Sequence, residues 1–425
     1  MRTEAVFTMD TSSIKYGSGA THEVGYDMKQ LGAGRVMVLT DSNLTNSETV
    51  DVVMRALRTE SIDAVLYDRV RVEPTDLSLK EAIKFAVDGN FSGYVAVGGG
   101  STMDTAKAAN LYATYPAEFL TYVNYPIGEG KLVPGKLNPL IAVPTTAGTG
   151  SETTGVVIFD LLEIRAKTGI AHRALRPNMG IVDPKNTETL TSMVAACSGL
   201  DVLCHALESL TALPFHQRAA PEHSGLRPAY QGANPISDIW SARAIDMVAK
   251  NIVRAVEDSS DEDARGQMLL AASFAGIGFG NAGVHLPHGM SYPVAGMVRD
   301  YVPDGYAVDH PIIPHGMSVV LNAPAVFRFT AMANPEAHLY AAGLMGVDVK
   351  QRKLEHSGDL LSDALVDLMK RTGMPNGLSA VGFDSADIDD LVAGTLPQHR
   401  VTKLSPRVAQ ASDLEKLFFD SMACW

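Results

Sequence analysis

Asp201 and His205 stand four residues apart in the run Gly199–Glu208. On a helix that spacing sets a carboxylate and an imidazole side by side on one face. The pair can hold a divalent cation, or serve as a plain helix ion pair. Two further histidine pairs follow, His285 with His288 and His310 with His315. The first pair lies in a stretch, Met268 to Val298, without a single Asp, Glu, Lys or Arg. A carboxylate with three imidazoles leaves a divalent ion net positive and open to a substrate oxygen. Polar groups in so apolar a setting are costly unless something compensates them.

Two loops have the composition of a phosphate or nucleotide cradle. Gly98-Gly99-Gly100-Ser101 follows the apolar run Tyr94–Val97 and precedes a helical pattern with Asp104 and Lys107. Glycines admit a close ligand, and a helix start offers free N–H groups and a positive dipole end. The run is not the G-x-G-x-x-G fingerprint, and a tight strand–helix turn would look the same. Pro144–Glu152 follows a second apolar run and gathers Thr145, Thr146, Thr149 and Ser151 around two glycines. Its plain reading is a polar turn in which Thr or Ser caps a helix. Asp41 closes the first clear strand, where a carboxylate can bind an adenosine ribose and repel a 2′-phosphate. A turn aspartate would read alike.

The elements that must position these groups differ between the halves. Strand-like runs at Arg35–Thr40, Ala64–Tyr67, Tyr94–Val97 and Leu140–Val143 alternate with helical patterns at Glu48–Thr59 and Ser78–Val87. That alternation predicts βαβ units and a parallel sheet, with ligands beyond the carboxyl ends of its strands. Helical periodicity dominates from about Thr191, over Leu200–Leu210, Ile239–Ala255, Asp261–Ala275, Met317–Phe327, Leu360–Lys370 and Ser412–Met422. The expected architecture is therefore an α/β dinucleotide-binding domain, residues 1–188, followed by an all-helical metal-binding and substrate domain, residues 189–425. The Pro214–Pro235 segment reads as an ordered loop. Met268–Val298 reads as a buried helix followed by a site-lining loop, because its glycines, prolines and histidines do not suit a bilayer.

Composition narrows the chemistry. Of 425 residues, 46% are apolar and 20% charged, enough for a sizeable core. The net charge of −13 argues against nucleic acid or an anionic membrane as partner. Three cysteines, Cys197, Cys204 and Cys424, make neither a disulfide framework nor a thiolate metal site. The first ten residues show no signal core and no Arg/Ser-rich presequence, so a cytoplasmic location is expected for a bacterial source.

Taken together and in order, Gly98–Ser101, Pro144–Glu152, Asp201–His205, His288-Gly289-Met290 and Pro314-His315-Gly316 resemble the iron-containing (group III) alcohol dehydrogenases. The likeness spans essentially the whole chain. Arg71–Asp76, Asn234–Trp240, Gly278–Leu286 and Arg400–Leu404 are most similar to the hydroxyacid-oxoacid transhydrogenase branch of that family. The resemblance implies a site in the cleft between the two domains. It implies Asp201, His205, His288 and His315 as ligands of a divalent metal, Fe2+ before Zn2+. It implies NAD contacts at Asp41, Gly98, Gly99, Gly100, Ser101, Asp104, Thr145, Thr146, Thr149 and Lys167.

One departure stands out. Many members of the family carry a non-ligand histidine four residues after the third ligand, where this chain has Tyr292. Tyr292, His285 and His310 are the replacement candidates for a catalytic proton relay, against core or supporting roles for each.

The implied reaction passes hydride between a hydroxy acid (4-hydroxybutyrate or 3-hydroxybutyrate) and an oxo acid (2-oxoglutarate, giving 2-hydroxyglutarate) through bound NAD. One alternative is an NAD-dependent dehydrogenase of a small alcohol that releases its cofactor. Another is a dehydroquinate synthase-like metal-dependent lyase, which the apolar flanks of His288 and His315 disfavour. Acid substrates need a cationic anchor, for which Arg173, Arg176 and Arg243 are available. A homo-oligomer is left open by the sequence.

Overall fold

Apolar runs in the first half build a parallel sheet. In the computed structural model, which describes residues 2–164 and 166–425, the strands are β1 (Ser13–Tyr16), β2 (Arg35–Asp41), β3 (Asp63–Val70), β4 (Gly93–Gly98), β5 (Leu140–Pro144), β6 (Val156–Leu161), β7 (Ala166–Ala171) and β8 (Met179–Val182). Six of them pair in the order β1-β8-β5-β4-β2-β3, all parallel. Helices α1 (Val24–Gln30), α2 (Glu48–Thr59), α3 (Asp76–Gly89) and α4 (Gly100–Thr114) make the crossovers.

Alternation along the strands divides the core. Val36, Val38, Val95, Val97, Ile141 and Val143 pack with α1 and α2. Met37, Leu39, Tyr94, Ala96, Leu140 and Ala142 face α3 and α4. A sheet covered on both faces has to be apolar at every strand position, as these runs are. Caps fix the crossovers: Ser47 accepts from the Val50 N–H, and Thr75 forms a capping box with Ser78. The antiparallel hairpin β6–β7 was not anticipated. It follows the 144–152 loop, where the plain reading of that loop would have put a helix.

The second unit is helical. It contains α5 (Ser192–Thr211), α6 (Pro235–Glu257), α7 (Glu262–Ala282), α8 (Leu286–Gly296), α9 (His315–Val320), α10 (Ala323–Thr330), α11 (Pro335–Leu344), α12 (Ser357–Arg371), α13 (Ile388–Thr395), α14 (His399–Thr402) and α15 (Ala411–Ser421). Two expectations are corrected here. The site-lining loop after α7 is a helix, α8, bent by 105° from α7. Pro287 lies in its first turn, where no N–H is needed, so proline there does not break it. The single helix expected over Met317–Phe327 is two, α9 and α10, with Asn322 before Ala323-Pro324 at the junction. Helix α5 is long and apolar enough to cross a bilayer by length and composition, yet 78% of that window is buried within the protein.

The chain divides between Leu190 and Thr191, and residues Met1–Asp10 belong with the helical unit. The expected domains put those ten residues with the α/β part. They are drawn away by specific bonds. Glu4 pairs with Arg227, the Thr8 N–H meets Gln231, and the Asp10 N–H meets Asn281 at 3.0 Å.

Candidate metal centre and nucleotide loops

Three helices of the second unit converge on one point. Helix α5 presents Asp201 and His205 one turn apart, α8 presents His288, and α9 begins at His315. One ligand atom from each of the four lies within 4.8 Å of the other three. His205 Nδ1, His288 Nε2 and His315 Nε2 stand 3.6–4.0 Å from Asp201 carboxylate oxygens. These are too long for hydrogen bonds. Asp201 Oδ1, His205 Nδ1 and His288 Nε2 are buried with no hydrogen-bond partner. Buried polar atoms are ordinarily paired, so atoms left unpaired around one point fit an ion among them. One carboxylate with three imidazoles suits a divalent transition metal.

Close helix packing sets the cluster. A Cβ on Gly316 would lie 2.0 Å from the Cys197 carbonyl oxygen and 2.8 Å from Asp201 Cβ. Only glycine lets α9 approach α5 this closely, and that approach carries His315 to Asp201.

Electrostatics couple the four groups. Burial would raise the Asp201 pKa, but His205, His315 and His288 hold it well below the usual carboxylate range. Burial takes His205 down to about 3. Burial pulls on His288 as well, yet Glu208 and Asp201 together lift it to about 9.

Glu208, fully buried, is the group that sequence reasoning missed. Its Oε1 lies 2.5 Å from His288 Nδ1, and its Oε2 accepts the His285 backbone N–H at 2.6 Å. A carboxylate only accepts, so Nδ1 keeps its hydrogen, and Nε2, toward the cluster, is the nitrogen that gives up its proton to take a metal. The signal was present: Glu208 follows Asp201 by seven residues and His205 by three, on the same helical face. Phe279 was also missed; its ring stacks on His205 at 4.0 Å and fixes the plane of the imidazole.

The three relay candidates fall elsewhere. His285 is buried, its Nε2 3.0 Å from Thr211 Oγ1, and burial lowers it to about 4. Tyr292, also buried, accepts a hydrogen bond from Arg400 Nη2 at 2.6 Å. His310, 24% exposed at its side chain, lies 2.9 Å from Asp309. None of the three belongs to the four-residue cluster. Of the expected carboxylate anchors, Arg243 is exposed and paired with Asp246. Arg173 and Arg176 line a cavity of about 550 Å3 in the α/β unit. Asn138, before β5, and Asn178, before β8, also line it, so it lies toward the amino ends of those strands.

The nucleotide candidates gather at the opposite, carboxyl ends of three neighbouring strands. Asp41 ends β2, Gly98 ends β4, and Pro144 ends β5. This is the edge where open α/β sheets take their ligands. The Thr145 N–H donates to the Gly98 carbonyl, joining the two loops. Gly99 caps α4, Gly100 opens it, and Thr146 and Thr149 pack against these two glycines.

Four of the expected contact residues also make internal ties. Ser101 Oγ accepts the Glu73 N–H. Asp104, buried, accepts from Ser151 Oγ at 2.6 Å and the Ile158 N–H at 2.8 Å. Lys167 is buried on β7 between Glu73 and Asp160. Asp41 accepts the Asn43 N–H at 2.9 Å, and burial raises its carboxyl above the ordinary value.

Comparison with known proteins agrees with this arrangement. Residues 11–184 match the model of the iron-containing alcohol dehydrogenases, and residues 229–422 match that of the C-terminal part of the Fe-containing alcohol dehydrogenase family. The Xenopus tropicalis protein named hydroxyacid-oxoacid transhydrogenase, mitochondrial, is 54% identical over 99% of this chain and 91% of its own length. A Dictyostelium discoideum protein named probable hydroxyacid-oxoacid transhydrogenase, mitochondrial, is 53% identical over 100% of this chain and 80% of its own. The crystal structure of a 1,3-propanediol oxidoreductase superposes with a TM-score of 0.85 at 25% identity, covering 98% of this chain and all of that one. The chain thus belongs to the iron-containing alcohol dehydrogenase family and is an oxidoreductase working with NAD(H) and a divalent metal.

Proposed function

We propose that this enzyme moves hydride from 4-hydroxybutyrate or 3-hydroxybutyrate to 2-oxoglutarate on a nicotinamide that stays bound, yielding 2-hydroxyglutarate. The observation that carries this reading is 54% identity, over 99% of the chain, to a hydroxyacid-oxoacid transhydrogenase. Asp201, His205, His288 and His315 would hold the metal, which we take to be iron, the ion for which the family is named. When bound it supplies Lewis acidity toward the substrate oxygen.

The protein's own groups do the rest. Glu208 keeps the hydrogen of His288 on Nδ1, away from the cluster. Asp104 and Lys167 hold the loops around the glycine turn in place. Gly98, Gly99, Gly100, Thr145, Thr146 and Thr149 take the nucleotide phosphates and amide, and Asp41 takes the adenosine ribose. Oxidation of the donor delivers a hydride to the nicotinamide and a proton to solvent; reduction of the acceptor takes both back. Of the three relay candidates only His310 has appreciable solvent access, so the proton exchange falls to it.

The test is hydroxybutyrate-dependent reduction of 2-oxoglutarate with no NAD added, with metal and bound nucleotide measured on the same sample. Steady formation of 2-hydroxyglutarate is expected. An absolute requirement for free NAD would identify a dehydrogenase that releases its cofactor.

A further inference from the structure

Arg400 stands out among the arginines of this acidic chain. Most of the others with described side-chain bonds face carboxylates, as Arg227 faces Glu4, Arg254 faces Asp261 and Arg299 faces Asp387. Among the described residues, none places a carboxylate within 4.0 Å of Arg400. Its guanidinium lies 5.1 Å from the ring centre of Tyr230, and Nη2 donates to the Tyr292 phenol oxygen. Nη1 is buried with no hydrogen-bond partner. Enclosing a cation without a counter-charge is costly, and a guanidinium fork matches a carboxylate edge.

Its position adds a second argument. Arg400 lies on α14, which packs on α8 next to His288. A Cβ on Gly289 would come 2.7 Å from Thr402 Cγ2 and 3.4 Å from Val401 Cγ2. Tyr292, the partner of Arg400, lies one turn beyond His288 on α8. Tyr292 also stands where many family members carry a histidine. An imidazole there would repel the guanidinium whenever protonated, whereas a phenol oxygen accepts from it. The departure from the family pattern and the cation without a counter-charge are thus one feature.

We propose that Arg400, oriented by Tyr292 and Tyr230, binds the carboxylate of the hydroxy acid and oxo acid substrates. The proposal rests on the acid-substrate reading above. It assigns the specificity for acids over neutral alcohols to a group beside a proposed metal ligand, in place of Arg173, Arg176 or Arg243.

The test uses the metal-loaded enzyme with Arg400→Met, Arg400→Lys and Tyr292→Phe. Two quantities are read: the ratio of kcat/KM for 4-hydroxybutyrate over 1-butanol, and the Kd of succinate, a dicarboxylate that cannot accept hydride. Losing one partner of a buried charge pair predicts about a 10²-fold fall in the ratio for Arg400→Met, carried mainly by KM, and a rise in succinate Kd of about the same factor. Arg400→Lys recovers part of both, because charge returns without the fork. Tyr292→Phe lowers the ratio by roughly tenfold, the scale of one charge-assisted hydrogen bond, and serves as the deciding variant should Arg400→Met fail to fold. An unchanged ratio with unchanged succinate binding overturns the proposal, as does an equal loss on acid and alcohol. A wild-type enzyme that does not prefer the acid would instead refute the acid-substrate reading itself.

Discussion

Replacing Glu208 with Gln isolates one link between structure and metal affinity. Both carboxylate oxygens are in use, one on His288 Nδ1 and one on the His285 N–H. An amide of the same size offers one acceptor and one donor. The His285 N–H is a fixed donor and claims the amide oxygen, which turns the NH2 toward His288. The hydrogen on His288 must then move to Nε2, the nitrogen that faces the metal position. The opposite orientation leaves two donors in contact in a buried site, at about 1–3 kcal/mol. Either way metal affinity falls, by about 10–100-fold or 1.4–2.7 kcal/mol.

Proton competition gives this loss a distinctive pH dependence. In the wild type, His288 is raised to about 9 and must lose its proton to bind metal, so affinity climbs as pH rises toward that value. Without the Glu208 charge the His288 pKa drops, and affinity climbs less steeply. The deficit of the variant is therefore larger at pH 8.5 than at pH 7. Chelator-buffered Zn2+ titrations at both values, with circular dichroism of the metal-free protein as a control for folding, provide the assay. Affinity within twofold of wild type at both pH values would refute the reasoning.

Two other substitutions probe the framework. Gly316→Ala puts a methyl group against the Cys197 carbonyl oxygen and displaces α9; metal content measured by plasma spectrometry should fall at least tenfold, with the α/β unit still folded. Asp41→Asn removes a charge that would repel a 2′-phosphate; the preference for NAD over NADP, measured by binding, should drop by about tenfold, the scale of a partly screened charge pair.

The sequence made the metal cluster legible where ligands share an element or a motif. Helical spacing sets Asp201 and His205 side by side but leaves a plain ion pair open, and the family resemblance is what makes them ligands. His288 over His285, and His315 over His310, needed the flanking His-Gly pairs, and Gly316 has a visible reason in the approach of α9 to α5. Glu208 was hidden because a glutamate on a helix ordinarily faces solvent, and only the fold brings His288 to it from 80 residues away. Arg400 was hidden similarly, its partner Tyr292 lying 108 residues earlier. Helix α8 reads as a loop in sequence because Pro287 and Pro293 are both breakers by type, whereas Pro287 stands in the first turn and Pro293 is carried inside the helix. The parallel sheet was legible in four adjacent strands, β5, β4, β2 and β3. The short strands β1 and β8 and the β6–β7 hairpin were not, since short runs give little periodicity.

The attachment of Met1–Asp10 to the helical unit has a temporal meaning. On a ribosome moving at roughly 5–20 residues per second, about 15–55 s separate the synthesis of Asp10 from that of its partner Asn281, 271 residues later. The whole of Thr11–Leu190 is made within that interval and can fold first. The segment up to Asp10 thus waits for its partners while the α/β unit is made, and nascent-chain proteolysis should find it before Asn281 has been translated.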